Sequence, residues 1–123
     1  MTNRIATALG AAALSALASA CGGAPAEITD SLTASCQVID KATPAVCACQ
    51  TDVLASNMDA RSLEIYAFYR AEWAKNEAAY NSVELGENAA IEKFKITKKE
   101  MTMISNEAAL KYRADLKACE SKT

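Results

Sequence analysis

The sequence predicts an all-α fold, a small bundle of three to four helices that opens with an N-terminal helical hairpin and is stapled by two disulfides. Three observations predict it. Only four glycines and two prolines punctuate 123 residues, and alanine, glutamate, lysine and leucine, all strong helix formers, fill much of the remainder. Apolar residues recur at helical spacing, and no alternating run is long enough to build a sheet. Five cysteines are present. If one has a separate fate, the other four make an even set suited to a disulfide framework in a small exported domain.

The first segment, residues 1–20, reads MTNRIATALGAAALSALASA. A single positive charge, Arg4, precedes an uncharged apolar run from Ile5 to Ala20, the pattern of a secretory signal peptide. The run is short and alanine-rich for a membrane span, which needs about 20 strongly apolar residues. Its end, Leu17-Ala18-Ser19-Ala20-Cys21, resembles the lipobox of bacterial lipoproteins. That resemblance implies cleavage before Cys21 and a diacylglycerol on its sulfur. It departs from the family at Ala18, where leucine is usual; Leu17 lies one position further back. Ordinary secretion is the rival, because Ala18-x-Ala20 is also a cleavage signal for the same bond. Acylation of Cys21 would leave Cys36, Cys47, Cys49 and Cys119. Residues 21–26 then form the lipidated cysteine and a small, uncharged tether, and residues 27–123 form a single helical domain of roughly 100 residues, enough for one core.

Helix one is expected from about Glu27 to Lys41, with Ile28, Leu32, Cys36 and Ile39 sharing a face. Thr43 is placed to cap the next helix and Pro44 suits its first position. Helix two runs to about Asn57 and is apolar on two sides: Val46, Cys49 and Val53 on one, Cys47, Leu54 and Met58 on the other. Such a helix lies between neighbours. Asp59 is a cap for helix three, expected from Ala60 to Tyr80, where Tyr66, Tyr69, Trp73 and Tyr80 form a stripe. The stripe reads first as core-facing, and Tyr66, Tyr69 and Trp73 are the candidate contact surface should they prove exposed. Residues 81–88, with Gly86, read as a loop. Helix four would extend from near Glu87 to Glu120, roughly 50 Å, which leaves room for a kink or break between Thr97 and Asn106. Lys93, Lys95, Lys98 and Lys99 form a basic cluster interrupted by Glu92 and Glu100, read as a solvated face.

In a helix, positions i and i+2 point about 200° apart, so Cys47 and Cys49 cannot bond each other and each should meet a different neighbour. The preferred pairing is Cys36–Cys49 with Cys47–Cys119, because Cys47 shares its side with the larger residues Leu54 and Met58. Exchange of the two gives the alternative, Cys36–Cys47 with Cys49–Cys119.

Histidine is absent. That removes the usual general base, the Ser-His and Cys-His nucleophile pairs and the commonest zinc ligand. No motif points to carboxylate or lysine catalysis, and no cofactor is implied. Loss of Arg4 with the leader makes the acidic excess one larger than the whole chain's −2, which gives no general attraction for nucleic acid. The expected function is that of a non-enzymatic envelope lipoprotein, a protein-binding or accessory module held to the membrane through Cys21, with a protein partner the sequence does not identify. Its domain would sit in the oxidising periplasm. Gly22 is not the aspartate that marks inner-membrane retention in the enteric lipoprotein family, so that resemblance favours the outer membrane. The alternative is a periplasmic Cu(I)-binding protein using the soft sulfurs of Cys47, Cys49, Met101 and Met103.

Overall fold

A computed structural model describes residues 24–122; the expected signal peptide, Cys21 and the first residues of the expected tether lie outside the described residues. The described chain is all-helical, with six α-helices: α1 (Ala26–Asp40), α2 (Pro44–Asn57), α3 (Ala60–Lys75), α4 (Ser82–Phe94), α5 (Lys98–Asn106) and α6 (Arg113–Ala118). A π-helical turn, Glu107–Lys111, joins α5 to α6, and a 3-10 turn, Cys119–Ser121, ends the chain. The count exceeds the expected three to four because the last predicted helix is divided. No helix among the described residues is long and apolar enough to cross a membrane.

α2 and α3 begin where capping chemistry dictates. The Thr43 hydroxyl accepts the Val46 N–H at 3.2 Å, with Pro44 in the first turn. The Asp59 carboxylate accepts the Ser62 N–H at 2.8 Å and its hydroxyl at 2.9 Å. Each cap satisfies donors that a helix start leaves unpaired. α1 and α2 form the hairpin about Lys41, which takes the left-handed conformation at φ 56°, and the Thr33 hydroxyl donates to that of Thr51 across it at 3.0 Å.

α3 is the central element, packed against α1 on one side and α4 on the other. It ends at Lys75, short of the expected Tyr80. There the Asn76 side-chain amide donates to the Glu72 carbonyl at 2.9 Å, the kind of local bond that competes with helix continuation. Residues 81–88, expected as a loop, are mostly the first turns of α4. Gly86 does not break that helix. A Cβ built on it would lie 2.7 Å from the Tyr69 carbonyl oxygen and 3.2 Å from the Trp73 Cβ, so glycine is what lets α4 approach α3 closely.

The long final helix stops at Phe94. Lys95 turns left-handed at φ 55°, and Thr97 restarts the chain with a reciprocal capping box: its hydroxyl accepts the Glu100 N–H at 3.1 Å, and the Glu100 carboxylate accepts the Thr97 N–H at 3.2 Å. The break thus falls at the lower edge of the expected interval, and the π-helical turn adds an irregularity beyond its upper edge. The core joins Leu32, Leu54, Leu63, Ile65, Ala90 and Met101, with Phe68, Ile91, Phe94 and Leu116 at its margin.

The disulfides are Cys36–Cys47 and Cys49–Cys119. This corrects the preferred pairing, Cys36–Cys49 with Cys47–Cys119. That preference treated the side of α2 facing α1 and the side facing the main core as different. They are the same side, because α1 itself lies in the core. Cys47, Thr51 and Leu54 are all buried there. Cys49 and Gln50 instead face the last helix, where the Gln50 amide donates to the Leu116 carbonyl at 3.4 Å.

Candidate functional site

The elements meet at two opposite ends. Ile28 of α1, Phe68 of α3 and Phe94 of α4 line one cavity of about 270 Å³, together with Glu27, Glu64 and Lys93. The start of α1, the middle of α3 and the end of α4 therefore meet at one end, where the described chain enters α1. At the other end the α1–α2 turn meets the α3–α4 turn through an ion pair of 3.0 Å between Lys41 and Glu77.

The aromatic stripe of α3 is interior. Tyr66 and Tyr69 are buried and Trp73 is half-buried, so the three do not form the contact surface for which the sequence made them candidates. Their rings pack in sequence, with centroids 5.7 Å apart for both Tyr66–Tyr69 and Tyr69–Trp73. Burial raises the pKa of both phenols above the ordinary tyrosine value. For Tyr69, burial first, then the neighbouring Tyr66 and Glu87, pushes the value up to about 12. These phenols stay neutral and structural at physiological pH.

Within this stripe lies the one buried charged residue among those described, Arg70. Its guanidinium donates to the Asp40 carboxylate at 2.8 Å and lies 5.0 Å from the centre of the Trp73 ring. A buried cation needs such a partner and such a platform. Arg70 thereby ties α3 to the end of α1. The sequence reading missed it. Its signal was a lone arginine amid Tyr66, Tyr69 and Trp73, at i+4 and i−3 from two of them.

Tyr80, the last residue of the predicted stripe, behaves oppositely. Because α3 stops five residues earlier, Tyr80 stands fully in solvent, at 101% relative exposure, beside the Lys41–Glu77 end.

The sulfur ligands of the metal alternative are not brought together. Cys47 and Cys49 are each committed to a disulfide with a different helix. Met101 is fully buried while Met103 is 62% exposed, the divergence expected of positions i and i+2. Among the described residues, no three His, Cys, Asp or Glu side chains converge on a point where a metal ion could sit. An open groove of about 480 Å³ lies between the start of α3 and α5. Ile65 and Ile104 floor it; Arg61, Glu100, Glu107 and Lys111 stand around it with mixed charge. Glu100 serves the capping box, and Glu107 accepts the Tyr112 hydroxyl at 2.8 Å, so both acids have structural work.

No family model matches the chain, and no curated protein or solved structure matches it.

Proposed function

We propose that this chain is a lipid-anchored protein of the bacterial envelope, whose helical domain works in the periplasm as a non-enzymatic protein-binding or accessory module, with the outer membrane as the favoured anchor site. The observation that carries the proposal is the cysteine count. Two disulfides consume Cys36, Cys47, Cys49 and Cys119, and the fifth is Cys21, directly after Ala18-Ser19-Ala20. Disulfides persist in oxidising compartments, and a lone cysteine at a leader's end is the acceptor that a lipoprotein requires.

The end remote from the tether suits a partner-facing role. It carries Tyr80 in full exposure, on the turn between α3 and α4. Tyrosine offers a large contact area and a polar tip, and it is enriched at protein interfaces.

Two measurements test the proposal. Intact mass spectra of the protein taken from membranes should show Cys21 acylated and no alkylation elsewhere until reductant is added. A free Cys21 thiol or thioether-free N-terminus would sink the anchor. A photo-crosslinking residue at position 80 should then give a discrete protein adduct in intact cells, while the same residue at the exposed Asp52 gives none. Equal adducts at both positions, or none at either, would reject the binding-module reading.

A further inference from the structure

We infer that the lysine turn between α4 and α5 is a membrane-facing surface that seats the domain on anionic phospholipid headgroups beside its own lipid anchor. The inference rests on the anchored reading above and adds an orientation to it. The sequence alone favours a solvated face for Lys93, Lys95, Lys98 and Lys99. The structure adds their position. Lys93 and Phe94 line the same cavity as Glu27 and Ile28 at the start of α1, so the turn begins, at Lys93 to Lys95, at the end from which the tether leaves, and Lys98 reaches back along α4 to Glu87.

Tether length makes that position matter. Residues 22 and 23 alone separate Cys21 from Ala24, which is already packed on the core. At no more than about 3.6 Å per residue, the chain between Cys21 and Ala24 spans roughly 11 Å. That is close to the screening length of about 8 Å at physiological salt. A domain held so tightly cannot lift this end out of the headgroup field, and its charges decide which corner rests on the surface.

The charges there are available. Lys93, Lys95 and Lys99 form no ion pair among the described residues, and Lys98 has only a loose one, 3.7 Å from Glu87. The Lys93 ammonium lies over the Phe68 ring, 4.5 Å from its centroid, on a side chain that stays exposed. Lys98 and Lys99 open α5, where the helix dipole favours acids rather than bases. Lys95 holds a left-handed position that favours glycine or asparagine. Lys95, Lys98 and Lys99 thus occupy positions that local helix chemistry would give to other residues, the pattern of a functional surface, while Lys93 suits the last turn of α4. Glu27 and Glu64 lie on the α1–α3 flank of the same end. They oppose the lysine corner and so favour a tilt that sets that corner down.

The test uses the acylated protein purified from membranes and placed in vesicles of phosphatidylcholine alone or with phosphatidylglycerol. A soluble amine-acylating reagent followed by peptide mass spectrometry reads each lysine. On anionic vesicles at low salt, Lys93, Lys95, Lys98 and Lys99 should react about fivefold more slowly than on neutral ones, the size expected for a lysine held near a charged surface. Lys41 and Lys75, at the opposite end, should not change, and molar salt should abolish the difference. Lys95→Glu with Lys99→Glu should remove the protection of Lys93 and Lys98 while both disulfides stay closed. Equal reactivity of all six lysines on anionic vesicles overturns the orientation, as does protection that survives the charge reversal. The intact mass of the same sample separates the two claims. Acylated but unprotected protein leaves the anchor standing and removes only the orientation; protein without acyl chains removes both.

Discussion

A single missing side chain controls how close the two longest-contacting helices come. With a Cβ at position 86 placed 2.7 Å from the Tyr69 carbonyl oxygen, Gly86→Ala must push α4 off α3 or displace backbone. Two effects oppose each other here. Alanine is the better helix former by about 1 kcal/mol. Overpacking a tight contact costs about 1–3 kcal/mol. Because the clashing atom is backbone and cannot rotate away, the second effect wins. Gly86→Ala should lower the urea midpoint, with a net loss of up to roughly 2 kcal/mol. A midpoint that rises instead would show that the crossing has slack. This residue also marks a limit of the sequence. Glycine between polar residues is an ordinary turn signal, and only a neighbouring helix reveals that it is a contact surface. The cysteines met a similar limit. Helical angles correctly forbade Cys47–Cys49, but the larger residues beside Cys47 could not choose between Cys47 and Cys49 as the partner of Cys36. The choice depended on where α1 sits around α2, which is tertiary information.

Helix boundaries were legible wherever a cap wrote them into local sequence. Thr43-Pro44 and Asp59 start α2 and α3 at the expected residues, because a side-chain oxygen and the first helical N–H groups lie within three positions of each other. The start of α5 carried the same kind of mark. Thr97-Lys98-Lys99-Glu100 is a capping-box sequence, and it was hidden inside the single helix expected from Glu87 to Glu120. The end of α3 had no comparable mark, since Asn76 closes it through its own amide. The capping box matters to α5 more than to the other helices, because a helix of nine residues is marginal without tertiary help. Thr97→Ala should therefore lower stability by about 1 kcal/mol, and Thr97→Ser should restore most of it. Urea melts of the three proteins provide the check. An alanine variant as stable as the parent would mean that Met101, fully buried below the cap, holds α5 by itself.

The two staples have different jobs, because they sit at different depths and close different loops. Cys36–Cys47 spans 11 residues within the hairpin, and both cysteines are buried against the core. Cys49–Cys119 spans 70 residues and ties down the end of the chain. Chain entropy alone ranks the longer loop as the stronger staple, at about 4 against 3 kcal/mol. That ranking assumes the whole chain unfolds at once. The C-terminal segment has a cheaper exit. α6 is six residues long and contains no buried residue, so apart from Leu116 at the core margin and the Gln50 contact, the disulfide is what holds it. In the double variant Cys49→Ala with Cys119→Ala, residues 113–119 should exchange their amide hydrogens at nearly unprotected rates, while α1, α3 and α4 keep their protection. Cys36→Ala with Cys47→Ala should act globally, lowering protection in every core helix together, because it removes a covalent tie and leaves space between α1 and α2. Hydrogen exchange read by mass spectrometry distinguishes these patterns. If the first variant lost protection throughout, the terminal segment would be integral to the core, and the bundle would fold as one unit from Ala26 to Ser121 rather than as five packed helices with a stapled tail.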